Sequence, residues 1–95
     1  MNIKEPIQEL ALEYLKNSND YNFGRLYNRL TPGLRCHIWS FIRNIKDYDL
    51  LEEVLQKTWE KVLLKRDQYD ESKGMFSSWI YTIAKNESLM EYYKH

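Results

Sequence analysis

From Phe23 to Ile45, apolar residues recur every three or four positions, through Leu26, Tyr27, Leu30, Leu34, Ile38, Phe41 and Ile42. That period marks one face of a helix, and a face this long must be covered by other elements. With only three Gly and two Pro available for turns, a few long helices are favoured over many short strands. Asp20 is placed to cap the start of the long helix. Pro32-Gly33 falls inside the stripe, and a proline removes a helical hydrogen bond, so a kink or break is expected around Thr31 even though the stripe keeps phase across it.

Three further helices follow from the same reading. The first opens at Pro6 and places Ile7, Leu10, Ala11, Tyr14 and Leu15 at helical spacing until the polar cluster Asn17-Ser18-Asn19. The third starts near Asp47 or Asp49 and puts Leu50, Leu51, Val54, Leu55, Thr58, Trp59, Val62 and Leu63 on a broad inner face. Its opposite face carries Glu53, Gln56, Lys57, Glu60 and Lys61. A polar loop runs from Lys65 to Gly74, with Tyr69 its one strongly apolar residue. The fourth helix carries Phe76, Trp79, Ile80, Ile83, Ala84 and Leu89. No repeat or linker divides the chain, so the expectation is an all-α, compact bundle of about four helices forming one domain over residues 1–95.

Fourteen basic and fourteen acidic residues cancel, which excludes a uniformly basic protein that coats nucleic acid by charge alone. The distribution is nonetheless uneven. Residues 1–46 hold seven bases against four acids, a net +3, whereas residues 47–72 hold four bases against eight acids, a net −4. An acidic middle helix beside a mildly basic pair suggests two surfaces, one for a basic protein and one for an anionic partner; a solvated helix face explains the same pattern as well. The lone Cys36 makes no internal disulfide, the Met1 segment is not a signal peptide, and no apolar run approaches the roughly 20 residues of a membrane span. A reduced, cytoplasmic chain with no membrane partner is expected. Catalysis finds little support: His37 and His95 are far apart, Asp47 and Asp49 read first as helix caps, and no metal-binding, nucleotide-binding or nucleophile motif occurs. No cofactor is implied.

The stretch from Tyr69 to Asn86 differs in kind, because aromatic rings, a glycine and basic or amide side chains gather around one loop and helix start. Those are the ingredients for stacking unpaired bases and touching their phosphates. For Phe76 and Ile83 a place in the core is the stronger reading. Three blocks occur in order: Phe23 to Arg35 with Thr31-Pro32-Gly33 inside it; Asp49 to Trp59 with Glu52-Glu53 and Gln56-Lys57; and Tyr69-Asp70 through Gly74-Met75-Phe76 to Trp79-Ile80 and Ile83-Ala84-Lys85-Asn86. Together they resemble the second conserved region of bacterial RNA polymerase sigma factors, in particular the small extracytoplasmic-function type.

The resemblance implies a helical specificity factor, not an enzyme, that docks on the clamp coiled coil of the polymerase largest subunit and opens promoter DNA at the minus-ten element. It assigns the polymerase contact to Glu53, Gln56, Lys57 and Glu60, which stand at i, i+3, i+4 and i+7 and so share one stripe. It assigns the captured non-template strand to Tyr69, Lys73, Gly74, Phe76, Trp79, Lys85 and Asn86. An anti-sigma factor or a second polypeptide is a further partner it allows. The sequence departs from the pattern in three places. After Asn86 it carries Glu87 and Glu91 where further bases are usual, which weighs against contact with duplex DNA. Met75 stands where a small capping residue is common. A second domain reading the minus-thirty-five element is missing, as expected for an excised domain or a reduced factor. Two rivals therefore stand beside the melting factor: a degenerate adaptor that binds polymerase without melting DNA, and a helical domain that binds only another protein.

Overall fold

A computed structural model of the chain describes residues 6–94; Met1, His95 and the stretch before Pro6 lie outside them. Four helices, α1 (Ile7–Lys16), α2 (Asp20–Ile42), α3 (Tyr48–Lys65) and α4 (Phe76–Lys94), are joined by short 3₁₀ turns at Arg43–Ile45, Arg66–Gln68 and Glu71–Lys73. There is no strand among the described residues, and the all-α expectation holds.

The centre of the bundle is α2. Leu26, Leu30, Leu34, Ile38 and Ile42 repeat at every fourth residue and are all buried, and α1, α3 and α4 each pack against this helix. Burying each of these side chains contributes roughly 1.5–3 kcal/mol. The helix begins one residue away from the expected cap: the Asn19 side chain accepts from the Asn22 N–H at 2.8 Å, and Asp20 occupies the first turn, where its charge suits the helix dipole.

Of the kink or break expected around Thr31, a break does not occur. Pro32 lies inside a continuous 23-residue helix. Both Pro32 and Asn28, whose carbonyl loses its partner to the proline, face solvent, so water replaces the missing hydrogen bond. At Gly33 the Tyr81 hydroxyl of α4 occupies the space a Cβ would take, so a side chain there would require the end of Tyr81 to shift.

Helix α3 starts as expected at Asp47, whose carboxylate accepts from the Asp49 and Leu50 N–H groups at 3.0 and 3.1 Å. Its inner face carries Trp59, with ring centroids 5.4 Å from Phe23 and 5.2 Å from Tyr27. Helix α4 turns Phe76, Ile80, Ala84 and Ser88 inward. The buried Thr58 and Ser88 hydroxyls each donate to the carbonyl four residues back, so neither is left unsatisfied.

The last two turns of α4 withdraw two acids from the surface. Glu87 and Glu91 are buried against α3, where Glu91 accepts from Lys57 and Glu87 from Lys61, both at 2.6 Å. The pairs 57/61 and 87/91 are one turn apart on helices that run in opposite directions, which produces a two-rung ladder. The Lys57 amine beside Glu91 holds that carboxyl below the usual range even though burial opposes it, and the Glu91 contact pushes the lysine up. A carboxyl lowered in the fold contributes stability that is complete above its ordinary value of 4.5 and is lost as pH falls through the lowered value. Stability should therefore decline on acidification below that point, and more steeply in the natural chain than in Glu91→Gln; urea titrations at successive pH values check the difference in slope.

Candidate nucleic-acid and partner interface

Two concave surfaces stand out, one built by the 66–75 loop and the start of α4, the other by α2 and α3. The loop is ordered from within. The Asp70 carboxylate accepts from the Ser72 N–H at 2.9 Å and the Ser72 hydroxyl at 2.7 Å, closing the turn at Glu71–Lys73. The Ser72 hydroxyl and then its N–H hold the Asp70 carboxyl below the ordinary carboxylate range, so it is ionised at neutral pH. Gly74 then adopts φ 154° and ψ 177°, a conformation open to glycine and costly for residues with a Cβ. That bend delivers the chain into α4.

Inside the bend, three rings pack together, and Tyr69 and Trp79 form the wall of a cavity with Phe76 behind them. Tyr69 lies 5.3 Å from Phe76 and 5.5 Å from Trp79, and Phe76 lies 5.3 Å from Trp79. In front of the wall is a cavity of about 360 Å³ bordered by Gln68, Tyr69, Asp70, Lys73, Gly74 and Trp79, with Met75, Ser78 and Thr82 at its edge. This is the small end of the range for ligand pockets, roughly 300–1,000 Å³.

Of the residues assigned to the strand, Tyr69, Lys73, Gly74 and Trp79 come together here. Phe76 does not reach the surface: it is fully buried and supports the wall from behind. Lys85 and Asn86 lie outside the pocket on the exposed side of α4. Asn86 follows Thr82 by four residues and Lys85 follows Ser78 by seven, so the exposed stripe runs on from the pocket for about 10 Å along the helix.

The second surface is a groove of about 360 Å³ lined by Tyr27, Glu52, Leu55, Gln56, Trp59, Glu60 and Leu63. Gln56 and Glu60 fall in it, and Glu53 is exposed beside it. Lys57 leaves the stripe: its amine is committed to Glu53 at 3.3 Å and to Glu91 at 2.6 Å. Glu52, which pairs with Arg35, and the exposed Leu63 complete a rim the sequence reading had not included. The result is an acidic groove with apolar floor and edge.

The sigma-70 region 2 family model matches residues 26–95. The chain belongs to the sigma-70 region 2 family. No curated protein and no solved structure matches it. Family membership gives the chain a sigma-like, non-catalytic role in transcription initiation, with RNA polymerase core and promoter DNA as its partners. Among the described residues no helix is long and apolar enough to cross a membrane, and no group of three or more His, Cys, Asp or Glu could hold a metal ion. The match begins inside α2, so α1 lies outside it.

That outlying helix supplies the residue the sequence reading missed. The Gln8 side-chain amide reaches both Tyr69 and the first N–H of α4. The available signal was slight: a single amide flanking the apolar stripe of a short helix.

Because Gly74 is held by backbone conformation and has open space around the position of a Cβ, the cost of a side chain there is pure strain. Gly74→Ala should lower stability by about 1–3 kcal/mol, read as a shift of the urea midpoint with the slope unchanged.

Proposed function

We propose that this sigma region 2 domain binds the clamp coiled coil of RNA polymerase through the α3 groove and captures an unpaired base of the minus-ten non-template strand in the Tyr69–Trp79 pocket. One observation carries the reading: a ring-walled pocket opens onto a helix face that continues through Ser78 and Thr82 to Lys85 and Asn86. A base can stack in the first while its neighbours' phosphates and edges meet the second. Stacking on such rings is worth roughly 1–3 kcal/mol per base, comparable to the few kcal/mol needed to extract one from the duplex. No bond is made or broken.

The acids at 87 and 91 were the main feature favouring an adaptor that leaves DNA closed. Their pairing with Lys61 and Lys57 removes them from the exposed face of α4, which supports the melting reading. On the other side, the exposed Glu53 and the groove residues Gln56 and Glu60 offer an acidic, amide-bearing stripe to a basic helical partner, flanked by Leu63 for apolar contact.

The two surfaces should separate by mutation. Glu53→Ala, Gln56→Ala and Glu60→Ala combined should weaken binding to the isolated clamp coiled coil at least tenfold, about 1.4 kcal/mol, and leave strand binding alone. Lys73→Ala and Asn86→Ala should do the reverse, with the Lys73 change lowering the salt dependence of strand binding by about one phosphate contact. Fluorescence anisotropy at low salt, with a labelled coiled-coil fragment and a labelled single strand, reads both. Loss of both activities in either variant set would sink the two-surface reading.

A further inference from the structure

Helix α4 has a weak start of its own. Met75, the residue before it, brings a thioether where a serine or aspartate side chain would accept from the first turn of N–H groups. Gln8 of α1, 68 residues away, makes up the deficit: its amide oxygen accepts from the Phe76 N–H at 2.8 Å. The other end of the same amide donates to the Tyr69 hydroxyl at 2.8 Å, and that hydroxyl in turn donates to the Gly74 carbonyl at 2.7 Å. One side chain thus ties the ring that walls the pocket, the bend that closes it and the helix that floors it.

We infer that Gln8 is a positioning residue for strand capture, holding the 69–76 loop open in its base-accepting shape before any strand arrives. The inference rests on the strand reading of the pocket. Without the tie, Tyr69 keeps its ring contacts and loses the bond that fixes its hydroxyl end, and Gly74 loses the constraint that reaches it through Tyr69. The loop then has to be ordered when the strand binds, and that ordering is subtracted from affinity. A helix cap alone would have no such effect on binding.

The test is a cycle of Gln8→Ala, Tyr69→Phe and the double variant in the full chain, with two readouts. One is the affinity for a labelled random-sequence single strand of roughly 12 nucleotides at low salt; the other is hydrogen exchange at the Phe76 amide. Each single change should weaken the strand about three- to tenfold, and the double should be little weaker than either single, because both break one chain of bonds. A Met75→Ser background, which gives α4 a cap of its own, guards against a mere folding defect: there Gln8→Ala should leave the melting temperature nearly unchanged and still weaken strand binding.

Wild-type affinity in Gln8→Ala, or two losses that multiply, overturns the inference. So does recovery of strand binding along with stability in the Met75→Ser background, which would make Gln8 a cap and nothing more. If the natural chain itself binds no strand, the strand reading of the pocket fails and the capture role of Gln8 with it; faster Phe76 exchange in Gln8→Ala would then show the tie to be a feature of the fold alone.

Discussion

The i, i+4 row of Leu26, Leu30, Leu34, Ile38 and Ile42 on α2 sets the terms for every other element. A fully covered row of branched side chains leaves room for three partner helices and little choice about which of their faces turn inward. It explains why the helix survives Pro32: covering the row on both sides of the proline outweighs one lost hydrogen bond, provided that bond lies on the wet side, as it does. It also brings the Tyr81 side chain of α4 over Gly33. Once α2 and α4 are in contact, the end of the 66–75 loop is fixed relative to the core, and the pocket inherits that fixity.

Charge is handled in a way the net value of zero conceals. Two lysines of α3 are withdrawn from its polar face and matched to two glutamates of α4, so neither set is available to a partner. Because the lysines remain partly exposed and the glutamates are not, the ladder spares the carboxylates the cost of unpaired burial. Acid remains on the α3 groove, whereas Lys73 borders the aromatic pocket together with Asp70, and Lys85 and Asn86 are exposed further along α4. A chain with no net charge can therefore present one face suited to a basic protein and another suited to a nucleic-acid strand.

Most of the fold was legible in the sequence because it is written in local period. The α2 stripe, the inner face of α3 and the cap at Asp47 needed only near neighbours to be seen. The misreadings share a different origin. Pro32 looked like a break because the cost of a proline is local while the benefit of continuity is tertiary. Glu87 and Glu91 read as weighing against duplex contact because their partners, 26 and 34 residues away, were not visible in the local sequence. Phe76, for which the core was the stronger reading, is buried against Tyr69 and Trp79. Gln8 could not be read at all, since its partners are 61 and 68 residues distant and no pattern in α1 points to them.

On the proposed reading, the long-range tie bears on what it costs to capture a base. A loop that carries a pocket is ordinarily the softest part of a domain, and ordering it on binding costs conformational entropy for each residue fixed. Here the ordering is largely complete in the free chain: Asp70 closes the turn, Gly74 sets the bend, and the Tyr69 hydroxyl is held at both its donor and acceptor sides. Stacking then has to offset mainly the extraction of the base from its duplex, and the two are of similar size. On the proposed reading, the small margin between them makes the polymerase contact consequential. A domain docked on the enzyme meets the strand at high effective concentration, so a near-balanced capture becomes productive only in that complex.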